Sequence, residues 1–210
     1  MKPSILFVDG PPAVGKDYFI TSFIGEYARC YPFGGILILK ASDFILEYTS
    51  RIQQQKYSPH PTTTEDLDYL LKGHIQLLNH IRTASQIGQA TNLIVVNRSF
   101  LSCIVHNLSD HPQDVQDIYI RQYHRAFQNL LAGFITMHLS LTPRTYDRAC
   151  SASIARIESR QESYPVDKDW VMSIHERYDH APEQDFASLF NIYALATSSD
   201  SKQVMQHFLP

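Results

Sequence analysis

The run Gly10-Pro11-Pro12-Ala13-Val14-Gly15-Lys16 satisfies the spacing Gly-x-x-x-x-Gly-Lys. Glycines at both ends let the backbone wrap an anion with successive N–H groups aimed inward, and a helix opening at Gly15 adds partial positive charge at the same point. Lys16 is then placed to bridge the β- and γ-phosphates, so the loop suits a triphosphate, with Asp17 and Tyr18 completing its range. Asp17 stands where such loops usually offer Mg²⁺ a Ser or Thr hydroxyl. A carboxylate is itself a good Mg²⁺ ligand, and it equally suits the first turn of a helix. Asp9 just before the loop serves either the same site or the turn.

Two further polar groups end apolar runs. Leu93–Val96 leads into Asn97-Arg98-Ser99, and Ile36–Leu39 leads into Lys40, Ser42 and Asp43. Asp43 is a candidate base for a hydroxyl proton, with Glu47 one helical turn later as the alternative and a helix N-cap as the plain structural role.

These groups need elements that bring them to one edge. Ile5–Val8 is a short apolar run that reads as a buried parallel strand. Phe19, Ile20, Phe23, Ile24 and Tyr27 recur at helical spacing, which predicts a helix from about Gly15 to before Pro32. Ile36–Leu39 is the second strand. Thr62-Thr63-Thr64-Glu65 has a capping-box pattern, followed by a long helix carrying Leu67, Leu70, Leu71, Leu78 and Ile81, with Gly88 as its stop. Leu93–Val96 is a third strand, Val115 to Leu130 a helix, Gly133–Leu141 a strand, Pro143 to about Ser163 a helix, and Leu189–Ala194 a last strand. Strands alternating with helices call for a parallel sheet covered on both faces, a three-layer α/β/α fold. In such sheets ligands sit at the carboxyl ends of the strands.

Composition narrows the classes. At 210 residues, 44% apolar and 19% charged, the chain suits one folded domain spanning residues 1–210. A net charge of −3 and the lack of any Lys/Arg block exclude the usual footprint of a duplex-binding protein. Cys30, Cys103 and Cys150 form no Cys-x-x-Cys pair and suit a reducing compartment as small core residues. No apolar run approaches the ~20 residues of a membrane span, and the first residues pass directly into a strand, so a cytoplasmic location is expected.

With the loop, the Asn97-Arg98-Ser99-Phe100-Leu101-Ser102 run and the segment after the fourth strand in view, the sequence resembles the thymidylate kinase and deoxynucleoside kinase superfamily of P-loop kinases, in its phage or viral form. Those kinases carry Asp-Arg-Tyr/Ser or Glu-Arg-Ser after a long helix. They then carry an arginine-bearing helical lid, and some continue into an aromatic-Leu-x-x-Ile/Leu-His helix. Here Leu139-Ser140-Leu141-Thr142-Pro143 leads to Arg156 and Arg160, four residues apart, and then to Trp170-Val171-Met172-Ser173-Ile174-His175.

The resemblance implies that Gly10, Gly15 and Lys16 hold the phosphates of ATP, that Arg98 contacts the acceptor or the transferred phosphoryl group, and that Arg156 and Arg160, on a lid of about residues 148–165, close over the transition state. Phosphoryl transfer spreads negative charge over three oxygens, so cations at these places have a physical role. Two departures stand out. Asn97 replaces the Asp or Glu that contacts the metal, leaving a carbonyl oxygen without charge, so the Mg²⁺ site is expected around Asp17 and Asn97. Cys103 replaces an acidic residue of the deoxynucleoside kinases, which leaves the acceptor open.

The implied activity is ATP-dependent phosphorylation of a deoxynucleoside or deoxynucleoside monophosphate of thymidine or thymidylate type. A hydroxyl of a modified base in DNA such as 5-hydroxymethyluracil, or of another small molecule, is the alternative acceptor, and an inactive nucleotide-binding regulator a third reading. A homodimer through the Leu67–Ile81 or Val115–Leu131 helix is compatible with the family. Trp170, Tyr178 and the many histidines are expected to be packing and solvated positions.

Overall fold

The structure is a computed structural model that describes residues 3–46, 48–50, 62–87, 91–143, 146–159, 168–196 and 204–206, without the side chains of 87, 146, 147, 156, 157, 195 and 196. The described residues form a five-stranded parallel sheet with helices on both faces. The strands are β1 (Ser4–Asp9), β2 (Gly35–Lys40), β3 (Thr91–Asn97), β4 (Ile135–Thr142) and β5 (Ile192–Ala196), in the spatial order β2-β3-β1-β4-β5. All four pairings are parallel, with Val8 opposite Asn97 on one side of β1 and Leu139 on the other.

Every residue of β1 is buried, as its central place demands. Alternation divides it between two cores. Ile5 and Phe7 pack with Ile94 and Val96 under the long helix α2 (Thr64–Ile87), α3 (Phe100–His106), α4 (Gln113–Leu130), α6 (Lys168–His180) and α7 (Ala187–Phe190). Leu6 and Val8 pack with Leu93, Val95 and Leu139 under α1 (Lys16–Cys30), joined by Val204 and Met205. A strand buried on both faces reads as a continuous apolar run because it has no solvent side. The remaining helix, α5 (Tyr146–Ser159), packs against α6 beside the strand ends. No described helix is long and apolar enough to cross a membrane.

Several boundaries differ from the sequence expectation. The capping box lies one residue on: the Thr63 hydroxyl accepts from Asp66 N–H at 3.2 Å while the Asp66 carboxylate accepts from Thr63 N–H at 3.0 Å. Thr62 instead takes a bond from Asn107, so it is free of the cap. Leu189 is in α7 and not in a strand, because Asn191 adopts φ 51 and restarts the chain as β5 from Ile192. Helix α3 has no amphipathic signal because its first six residues are all buried. The apolar faces of α2 and α4 pack inside one core, with Leu67, Leu70, Leu78, Ile81, Tyr119, Tyr123 and Phe127 all in it, so those faces are not open for a dimer. Cys30 is exposed at the end of α1 while Cys103 and Cys150 are buried. His74, His138 and His175 are buried rather than solvated.

Candidate active site

The phosphate loop leaves β1 at Asp9 and enters α1 at Lys16. Gly10 has φ 142, and a Cβ there would meet the Leu141 carbonyl oxygen at 2.8 Å, so conformation and space both require glycine. Ala13 at φ 58 and the N-cap residue Gly15 at φ 97 turn the backbone twice into the left-handed region. Alternation of this kind makes a concavity lined with N–H groups. No side chain caps the start of α1, which leaves its first N–H groups to an anion. Lys16 folds over the loop and donates to the carbonyl oxygens of Gly10 at 2.8 Å and Pro11 at 2.7 Å. Pro12 and Val14 lie within the loop, Val14 buried in the core beneath it, and Tyr18 is 79% exposed.

The end of β3 meets this loop. Arg98 N–H donates to the Val8 carbonyl at 2.9 Å, and the Asn97 side-chain amide donates to the Asp17 carboxylate at 2.9 Å. The two residues expected at a metal therefore touch. Arg98 has φ 71, an uncommon and strained setting for a side chain of its size. It is half-buried at the strand end beside the loop.

Asp9 is fully buried, and its role is structural support of that meeting. One carboxylate oxygen accepts from Ser99 N–H at 2.9 Å and from the Ser102 hydroxyl at 2.7 Å; the other accepts from the Ser99 hydroxyl at 2.6 Å. The Tyr178 hydroxyl donates in turn to Ser102 Oγ at 2.9 Å. The sequence names Ser102 only within the Asn97–Ser102 run and Tyr178 only as a packing or solvated position; their contact is not legible there, because it joins positions 76 residues apart. Tyr178 is thus more than a packing residue. Burial raises its phenol, against which the nearby Arg98 charge works. Burial likewise holds His106 well below the usual histidine range, helped by the positive charges of Arg98 and Lys16. His175 is lowered by burial and by Lys16.

Helix α5 also reaches the loop. Ser153, fully buried, has its hydroxyl 2.7 Å from the Pro12 carbonyl and 2.8 Å from Ala149 O, with His175 Nε2 at 3.3 Å. Arg156 belongs to α5, but its side chain lies outside the described residues, as does Arg160 altogether.

Asp43 lies inside a 3₁₀ turn, Ala41–Phe44, at the carboxyl end of β2. Its carboxylate accepts from the Ser42 hydroxyl at 3.3 Å. With Phe44, Ile45 and Leu46 it lines one wall of a cleft of about 330 Å³, whose other wall is Tyr69, Lys72, Gly73 and Gln76 of α2. Gly73 sets the close approach: a Cβ there would collide with the Phe44 carbonyl oxygen. The cleft contains no loop residue, so Asp43 and the phosphate loop are separate stations on one sheet edge. Glu47 lies outside the described residues.

No family model and no curated protein matches this sequence. Among solved structures, thymidylate kinase from Ehrlichia chaffeensis superposes with a TM-score of 0.59 at 9% identity, covering 99% of each chain. The YGR205w protein superposes with a TM-score of 0.51 at 14% identity, over 96% of this chain and 87% of that one. The fold is therefore the three-layer P-loop type with a parallel central sheet, shared with thymidylate kinase.

Proposed function

We propose that this chain is an ATP-dependent kinase whose acceptor is a deoxynucleoside or deoxynucleoside monophosphate of thymidine or thymidylate type. One observation carries the reading: a phosphate loop and an Asn-Arg pair stand on adjacent strand ends, joined by Arg98 to Val8 and by Asn97 to Asp17. The fold shared with a thymidylate kinase supports a nucleotide kinase in particular. Residues 1–210 act as one domain, with about 148–165 as its lid.

ATP would lie with its phosphates in the cradle of residues 10–18, and Lys16 would exchange the Gly10 and Pro11 carbonyls for phosphate oxygens. Mg²⁺ commonly takes one or two carboxylates and completes its shell with phosphate oxygens and water. The residues fit that mode, since Asp17 is exposed at the loop and held by Asn97, and no group of three or more acidic, His or Cys residues gathers elsewhere among the described residues. Asp17 and Asn97 would hold the ion, which when bound neutralises charge on the phosphates.

The acceptor would occupy the cleft beside α2. The ends of β1 and β2 are two strand spacings apart, about 10 Å, so a molecule of nucleoside size seated there extends toward the loop. Asp43 would take the hydroxyl proton of a nucleoside or orient a sugar hydroxyl of a monophosphate. Arg98 would grip the acceptor or the transferred phosphoryl, and Arg156 and Arg160 would close over it. ADP release, followed with ATP, Mg²⁺ and a panel of deoxynucleosides, their monophosphates and modified oligonucleotides, tests the proposal. Turnover with a pyrimidine deoxynucleoside or its monophosphate is expected. Turnover only with the oligonucleotides, or none with any acceptor, overturns it.

A further inference from the structure

Helix α6 carries two side chains, His175 and Tyr178, one turn apart, and each bears on the phosphate loop. Tyr178 reaches the start of the loop through a hydrogen bond with the Gly10 backbone and through Ser102, whose own hydroxyl hydrogen goes to Asp9. His175 reaches its middle through Ser153, whose hydroxyl lies on the Pro12 carbonyl. We propose that α6 positions the phosphate loop, with His175 and Tyr178 acting through Ser153 and Ser102 to hold Pro12 and Asp9 in the shape that receives a triphosphate. The inference rests on the reading of the loop as a nucleotide site.

The geometry gives this a mechanism. A peptide unit is planar and trans, so its C=O and the following N–H point opposite ways. A bond from Ser153 that holds the Pro12 carbonyl outward therefore turns the Ala13 N–H inward, at the residue whose φ of 58 bends the loop. Ser153 has one hydroxyl hydrogen and two carbonyls within reach, Pro12 O at 2.7 Å and Ala149 O of its own helix at 2.8 Å. In the Nε2–H tautomer, His175 donates to Ser153 Oγ, occupies a lone pair and leaves that hydrogen free for Pro12. At the other end, donors converge on Asp9 in one direction only: Tyr178 to Ser102, Ser102 to the carboxylate, with Ser99 adding two more bonds. Asp9 adjoins Gly10, whose φ of 142 no other residue adopts readily, so an anchored Asp9 holds the first bend of the loop.

α6 also carries the carbonyl of Tyr178, which accepts from Ser140 of β4 at 3.1 Å. The helix is thus fixed to the sheet and gives the two relays a stationary base. Neither Tyr178 nor Ser153 needs to meet the nucleotide, and their removal should change binding of the donor without changing the acceptor.

Ser153→Ala and Tyr178→Phe each delete one hydroxyl. Titration with ATP and steady-state kinetics on the full chain, with thermal melts to show folding, should give ATP affinity weakened about fivefold in each, the scale of one hydrogen bond. KM for ATP should rise in step and KM for the acceptor should not move. His175→Gln, which retains an N–H near the Nε2 position, should recover the affinity that His175→Ala loses. If one hydroxyl variant fails to fold, the other decides. Unchanged ATP affinity in a folded variant, or equal shifts in both KM values, overturns the positioning role while leaving the loop assignment standing. Failure of the wild-type chain to bind ATP overturns both together.

Discussion

Asn97 gives its side-chain amide to the Asp17 carboxylate at 2.9 Å, across 80 residues of sequence. Each residue departs from the pattern of the kinases the chain resembles, and the contact shows that the departures suit one another. An acidic residue at 97 would face Asp17 across a hydrogen-bond distance and repel it, whereas an amide pairs with it.

The pair is testable as a cycle. Asn97→Asp alone should lower the melting temperature when Mg²⁺ is removed with a chelator, with added Mg²⁺ restoring it. Asp17→Ser alone should keep Mg²⁺-dependent activity, and the double change should be more active than Asn97→Asp. A coupling of about 1 kcal/mol between the sites is expected. Additive effects within error would mean that the contact has no bearing on the metal.

Lys16→Ala should leave the melting transition in place, because the lysine caps two loop carbonyls and is not packed in a core. Phosphoryl transfer should fall at least about a hundredfold, the scale of losing one charge-stabilising donor. ADP release at the wild-type rate in a folded variant would sink the loop assignment.

Burial carries a pH signature. His138 stacks on Phe7 at 4.3 Å and also meets Phe127 and Phe190. Burial lowers its pKa to about 4, with the Asp9 charge opposing. His74, whose Nδ1–H bonds the Leu70 carbonyl at 2.7 Å, is lowered by burial too, as are His106 and His175. These groups fold neutral, so the unfolded chain binds protons first. Stability is full above about pH 6.5 and falls as pH drops from there toward 4, by about 1.4 kcal/mol per pH unit for each proton taken up. Urea midpoints at pH 7 and pH 5 should show the fall, and His138→Phe should make it shallower. An identical slope in the variant would remove His138 from the account.

The parts of this molecule that were legible in sequence are those built from neighbours. Gly10 to Lys16 shows as a loop because its strand, its glycines and the Phe19-Phe23-Tyr27 stripe adjoin one another, and all lie where expected. Asp9 was ambiguous, since its partners Ser99 and Ser102 are 90 and 93 residues away and any buried carboxylate needs such donors. Ser153 was invisible and Tyr178 was legible only as a packing or solvated position for the same reason. A serine on a helix has no periodic signal, and its meaning comes from the Pro12 carbonyl it meets 141 residues away. The dimer faces on α2 and α4 were misplaced because an apolar stripe states that a face is buried without stating against what.

Arg98 is where the proposed acceptor side can be tested. It follows β3 directly, its N–H is held by Val8 of the loop strand at 2.9 Å, and its φ of 71 is a conformation that glycine adopts more easily. Backbone strain at a residue with a long charged side chain points to a role for the side chain, since stability alone would favour another residue. Arg98→Lys keeps charge and strain but loses the planar fork that grips two oxygens. It should cut kcat/KM for the acceptor roughly tenfold, as expected from losing about 1.5 kcal/mol of a charged hydrogen bond, with ATP affinity unchanged. Arg98→Gly should lose the activity entirely while melting no lower than the wild type, because relief of the left-handed strain, about 1 kcal/mol, offsets the added chain entropy of glycine. If ATP affinity falls in Arg98→Lys while the acceptor kinetics hold, Arg98 belongs to the donor; if Arg98→Gly melts well below the wild type, the strain argument fails and the arginine is a packing residue.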